Sequence, residues 1–156
     1  ESGQMLTIIL MLIGGSPGST AGGMKTTTLA VLTATAVSVF RRNENPELFK
    51  RRIAPETVAN AASILMMYLS LCLTGAFLIS RIEELPMMAC MFETASAVGT
   101  VGLSFGITPG LGSISRIILI ILMYLGRVGG LTLIYAALSG HRIRFGKYPL
   151  EKITVG

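Results

Sequence analysis

Aspartate and tryptophan are absent from this 156-residue chain, and charged side chains of every kind make up only 13% of it. A soluble globular domain carries about a quarter charged residues. The deficit, with 51% hydrophobic residues and a mean hydropathy of +0.68, therefore points to lipid rather than water. A single histidine, no aspartate and no nucleophile–base pair leave little from which to build an enzyme. The two cysteines, Cys72 and Cys90, lie in apolar segments without metal-ligand spacing. They read as small buried hydrophobes and say nothing about redox compartment. Nothing at the amino end resembles a cleavable signal peptide, because Glu1-Ser2-Gly3-Gln4 is no translation start and the apolar run behind it lacks a basic leader. The chain is expected to begin inside a longer protein.

Long uncharged runs are plentiful. Residues 57–80 carry no charge and residues 117–139 carry only Arg127; each run is long enough to cross a hydrocarbon core of about 30 Å as a helix. The net charge of +5 is concentrated in two places. Arg41, Arg42, Lys50, Arg51 and Arg52 form one group, and Arg142, Arg144, Lys147 and Lys152 form the other. By the positive-inside rule both groups are cytoplasmic, and the loop holding Arg81, Glu83 and Glu84 is external. Beside apolar spans these clusters read as topology, not as a nucleic-acid footprint.

Residues 1–40 are apolar but interrupted. A helical stretch at 5–13 gives way to Gly14-Gly15-Ser16-Pro17-Gly18-Ser19-Thr20-Ala21-Gly22-Gly23-Met24-Lys25, and the helix resumes at 26–40. So dense a glycine–proline cluster cannot hold a continuous helix. Non-helical backbone survives at membrane depth only inside protein or beside a water-filled cavity, so the segment predicts a broken helix facing a pore. A connector follows at 41–55, then an outward span at 56–80. Pro86 opens a shorter helix at 87–98, too short to cross. A glycine-rich stretch, 99–112, precedes a returning span at 113–139, and 141–156 form a cytoplasmic tail. The predicted class is an all-α membrane protein: one membrane–pore–membrane repeat at 56–140, preceded by the broken second helix of another.

Thr100-Val101-Gly102-Leu103-Ser104 occupies the place of a selectivity filter. It follows a re-entrant helix and matches the potassium-filter sequence in its first three positions, where backbone carbonyls replace the water shell of the ion. Potassium is therefore expected at the carbonyls of Thr100, Val101 and Gly102. The short helix aims its carboxyl end, worth about half a negative charge, into the cavity. Glu93, within that helix, would brace the filter backbone through a partner that spacing does not name. Glu83 and Glu84 either gather cations at the outer mouth or belong to a solvated loop.

The strip at 14–25 resembles a phosphate-binding loop only superficially. Met24 separates Gly23 from Lys25, and no strand precedes it. Small residues, hydroxyls and one cation below a filter suit a gate: Gly14, Gly15, Ser16, Pro17, Gly18, Ser19, Thr20, Ala21, Gly22, Gly23 and Lys25. Arg127, flanked by apolar residues in a span, costs at least about 2.5–3.5 kcal/mol unless it faces water or a partner. The carbonyls and hydroxyls of Ser16, Ser19 and Thr20 are its expected partners, which makes it a latch for the gate.

Three segments carry a family resemblance: residues 14–28, residues 92–110 with Thr100-Val101-Gly102-Leu103-Ser104 at their centre, and Gly126-Arg127-Val128-Gly129 with Leu131-Thr132. Together they resemble the Trk/Ktr/HKT superfamily of potassium-uptake proteins, in particular the Ktr-type (NtpJ-like) pore subunit. Tyr148-Pro149 and the closing residues 151–156 are similar to the carboxyl end of that type; Gly130 departs mildly, some relatives having proline there. The resemblance implies four linked repeats, each giving one filter glycine, with Gly102 as the fourth and Arg127 touching the gate loop. It implies multi-pass insertion in the plasma membrane, potassium uptake often stimulated by sodium, no cofactor, a homodimer of pore subunits, and a cytosolic RCK-type nucleotide-binding partner. A single loop is a quarter of a ring, so these residues alone are expected not to conduct. Two alternatives remain: a two-span channel assembled from four copies, and a secondary transporter with a discontinuous helix.

Overall fold

Residues 2–42, 47–48 and 51–129 are described by the computed structural model, and they are chiefly helical. The order is α1 (Ser2–Leu12), α2 (Thr26–Phe40), α3 (Pro55–Glu83), α4 (Met87–Gly99) and α5 (Ser113–Val128). Two-residue strands β1 (Glu47–Leu48) and β2 (Arg51–Arg52) pair antiparallel in the connector, a detail outside the all-α expectation. The expected turn at 43–46, the far half of the last span at 130–139, and the tail at 141–156 with His141 lie outside the described residues.

The uncharged run forms α3, with Pro55 in its first turn, where a missing N–H costs nothing. Among the described residues α3 is the one helix long and apolar enough to cross a membrane, with a mean hydropathy of 2.0 in its best window. Its buried positions, Ala61, Tyr68, Cys72, Gly75, Ala76 and Ile79, recur at helical spacing and form one stripe. Met66, Leu73, Phe77 and Leu78 stay exposed on other faces. The helix runs three residues past the expected end at Ser80. It stops where Glu84 turns left-handed (φ 54°), and the Ser80 hydroxyl donates to Leu85 O at 2.8 Å. The expected outer loop at 81–85 thus shrinks to a tight corner before Pro86.

α4 is the centre of the fold. Every residue from Phe92 to Gly99 is buried, although a helix of 13 residues is only about 20 Å long. α3 covers one side through Ala76 and Ile79, α5 another through Leu119 and Leu122, and α1 a third through Ile8 and Met11 against Phe92 and Ala95. Gly75 admits Leu122: a β-carbon there would stand 2.7 Å from its Cδ1.

α5 begins where expected, at Ser113, and is continuous to Val128. Gly129 adopts φ 89° and ψ 138°, which no helix permits, so the helix ends at Val128. Arg127 lies in the last turn of this helix. Its amino end is capped from a distance, for Glu83 Oε1 accepts from Gly112 N at 2.8 Å and from the Ser115 hydroxyl at 2.6 Å. A carboxylate at this end also meets the positive pole of the helix. Glu83 is thereby committed to tying α3 to α5.

The closest packing lies at Gly126, where a β-carbon would fall 2.0 Å from Val98 O. Gly126→Ala is expected to lower stability by about 1–3 kcal/mol or more, since backbone must move to admit a methyl group. Gly110→Ala, where a β-carbon meets nothing within 4 Å, should stay within about 0.5 kcal/mol. Thermal denaturation of the purified protein checks both, and equal melting temperatures would refute this packing.

Candidate functional site

The site is the carboxyl end of α4 and the two irregular segments that meet it. Helix α4 closes with Thr100 N on Ala97 O at 3.1 Å and Val101 N on Ser96 O at 2.9 Å. Both bonds satisfy last-turn carbonyls that would otherwise be bare. Thr100 pays for this closure by adopting φ 53° and ψ 39°, a left-handed conformation uncommon for any β-branched residue. Gly102 follows at φ 85°, a backbone turn that favours glycine. Val101 to Gly106 are exposed in the single chain.

Hollows flank this limb on both sides. A cavity of about 810 Å³ lies toward α5, lined among others by Thr100, Leu103, Leu119, Met123 and Arg127. A smaller one of about 350 Å³ lies toward α1, lined by Thr7, Leu10, Gly15, Ala21 and Val101 among others. The filter candidates Thr100, Val101, Gly102, Leu103 and Ser104 therefore border open space.

Beyond the turn, the limb is held to α4 by Glu93, which is 5% exposed. Its Oε1 accepts from the Ser104 hydroxyl at 2.6 Å and from Phe105 N at 3.0 Å, and its Oε2 accepts from the Thr108 hydroxyl at 2.9 Å. Phe105 also lies on Phe92, with ring centroids 4.1 Å apart. These are the partners the sequence could not name. Glu93 alternates with no complementary charge, so only the path of the loop brings its three neutral donors together.

The break between α1 and α2 is an excursion with its ends sewn together. Gly14 N donates to Met24 O at 2.6 Å and Met24 N to Leu12 O at 3.2 Å, making a parallel bridge between Ile13 and Met24. Residues 15–23 bulge out of this closure. Lys25 Nζ crosses the bulge to Ser19 O at 3.1 Å and Ala21 O at 2.7 Å, while Arg127 Nη1 donates to Thr20 O. Two cations from different elements thus hold three successive carbonyls.

The bulge also directly touches the limb that leaves α4. Gly22 N, on a buried residue, donates to Thr100 Oγ1 at 2.8 Å, and Gly23 N reaches Gly126 O at 3.4 Å, as does the Tyr68 hydroxyl. The structure thus gathers Thr100, the loop residues 19–23, Lys25 and Arg127 at one place. Ser16, Pro17 and Gly18 form the exposed tip of the bulge. The role of Thr100 was missed from sequence, which marked only its carbonyl; a β-branched residue just past a helix end was the available signal.

Residues 1–142 match the TrkH family, described as cation transport protein. The chain is 40% identical to the potassium/sodium uptake protein NtpJ of Enterococcus hirae, over all of this chain and 36% of that protein. It is 34% identical to the Ktr system potassium uptake protein B of Bacillus subtilis, over all of this chain and 35% of that protein. A protein of the same name from Vibrio alginolyticus is 35% identical, over 97% of this chain and 33% of its own length. The chain spans about a third of the length of the curated relatives it matches.

Thr100→Val keeps the shape of the side chain and removes the acceptor, leaving the buried Gly22 N–H unpaired at about 1–3 kcal/mol. Amide exchange at Gly22 and Gly23 is expected to quicken on the order of tenfold, whereas Thr100→Ser should leave it near the parent rate. Equal protection in all three proteins would remove the Thr100–Gly22 contact.

Proposed function

Because the chain belongs to the TrkH family of cation transport proteins, we propose that it supplies one quarter of a potassium-selective pore together with the gate beneath it. The family is one of membrane transport, not of catalysis. One observation carries the reading: the Thr100-Val101-Gly102 limb leaves the buried carboxyl end of α4 in direct contact with the sewn bulge at residues 14–25. The limb borders open hollows, and Gly102 turns it at φ 85°. Carbonyls of Thr100, Val101 and Gly102, backed by the negative pole of α4, would replace water around potassium. Leu103 and Ser104 continue the filter with a less regular ladder.

Four such limbs complete a ring, and three come from elsewhere in the assembled protein. α1 packs its Ile8 and Met11 onto α4, which supports a broken helix belonging to the same pore over a two-span channel that assembles from four copies. The bulge is the gate: Gly14, Gly15, Ser16, Pro17, Gly18, Ser19, Thr20, Ala21, Gly22 and Gly23, tied by Lys25 and latched by Arg127. Orientation follows the basic clusters, with the carboxyl end cytoplasmic. The name of the Enterococcus hirae relative includes both potassium and sodium, which supports sodium as an activator. The Ktr system names of two others support a pore subunit that works with further components, here read as a homodimer on a cytosolic RCK-type nucleotide-binding ring.

Two outcomes test this in the full-length protein. Gly102→Ser, which sets a side chain on a left-handed turn, should reduce potassium-over-sodium selectivity; selectivity left intact would count against Gly102 as a filter residue. Arg127→Ala frees the Thr20 carbonyl and should raise potassium flux at equal surface expression, measured as rubidium uptake. Unchanged flux would dismiss the latch.

A further inference from the structure

The filter limb has two anchors and a short free stretch between them. At the inner end Val101 N is fixed on Ser96 O at 2.9 Å. At the outer end the Ser104 hydroxyl and Phe105 N both end on Glu93 Oε1, at 2.6 and 3.0 Å. Only Gly102 and Leu103 lie between. Where the carbonyl of Gly102 points is therefore decided by how firmly each anchor holds.

The outer anchor is a network. Glu93 Oε2 takes the Thr108 hydroxyl at 2.9 Å, the Ser104 and Thr108 hydroxyls lie 3.0 Å apart, and Gly106 N donates to Ser104 Oγ at 2.8 Å. Phe105 adds its ring to Phe92, one residue before Glu93 on α4. One buried carboxylate thus holds the chain from 104 to 108 against the helix. The carboxylate is the acceptor in every one of these bonds, and a charged acceptor makes each of them strong. No alternative acceptor is needed for either hydroxyl, since both already give their proton to the carboxylate.

We propose that Glu93 is the positioning residue of the filter: through Ser104, Phe105 and Thr108 it sets the aim of the Gly102 carbonyl, and with it the discrimination between potassium and sodium. The inference rests on the filter reading above. A carboxylate in the wall could instead act by its charge, drawing cations in. Glutamine separates the two. Its oxygen can still accept from Ser104 and Phe105 N, and its amide can donate to the Thr108 oxygen, so the brace stays while the charge goes.

The experiment measures the potassium-to-sodium permeability ratio in the full-length protein, a quantity independent of how much protein reaches the membrane. Glu93→Ala is expected to lower the ratio on the order of tenfold, since a limb freed of several bonds samples other carbonyl directions. Thr108→Val removes one donor and keeps the volume, and should lower the ratio about threefold. Glu93→Gln should restore most of what alanine loses. A ratio reduced as far by glutamine as by alanine would assign the effect to charge and overturn the brace. A ratio untouched by both Glu93→Ala and Thr108→Val would overturn it too. Where the alanine protein fails to accumulate, Thr108→Val decides alone. Gly102→Ser measured in parallel separates the two levels. If it too leaves the ratio intact, the filter reading has failed; if it alone shifts the ratio, only the role of Glu93 has.

Discussion

Three backbones converge on the last turn of α4 at distances that exclude side chains, and the rest of the structure is arranged around that meeting. A β-carbon on Gly126 of α5 would collide with Val98 O at 2.0 Å, and one on Gly99 would collide with Met11 O of α1 at 2.3 Å. One on Gly22 would fall 2.6 Å from the Thr100 side chain. A helix that ends inside packed protein leaves polar backbone where water cannot serve it. Here its end is served by its own returning chain and covered by three neighbouring segments. The cover must be thin, and glycine makes it so.

The same constraint explains how charge is used. Among the described residues, Lys25 and Arg127 end on carbonyls of Ser19, Thr20 and Ala21, not on carboxylates. Carbonyls in a bulge are acceptors left over when a helix is broken, and two cations take them up without a carboxylate. These bonds lie on an exposed bulge where water competes for both partners, so they hold the segment less firmly than the same bonds would in a buried site. Glu93 contrasts with this. It is buried beneath the limb and engaged on both oxygens, the arrangement of a part that should not move.

Much of the local structure could be read from residue order. The run at 26–40 became α2 with those bounds, Pro86 placed the start of α4 at Met87, and the glycine–proline cluster broke the first helix where expected. Such features depend on propensity and on neighbours a few residues away. The misjudged ends share a different cause. α3 overran Ser80 because Glu83 found Gly112 and Ser115 far along the chain. α5 stopped at Val128 because Gly129 took a backbone conformation that its apolar surroundings did not announce.

Hydropathy and the spacing of glycines therefore determined by themselves that this chain is a helical membrane protein whose first apolar run is broken, since long uncharged runs favour helices in lipid and a glycine–proline cluster interrupts them. Which groups meet was decided only by tertiary structure. Thr100 reaches Gly22 across 78 positions and Arg127 reaches Thr20 across 107, and Glu93 collects its donors from a loop whose path depends on α4 being enclosed. Contacts over such separations carry no local periodicity; they exist once packing has brought the elements together, because short-range hydrogen bonds form between neighbours in space, whatever their order along the chain.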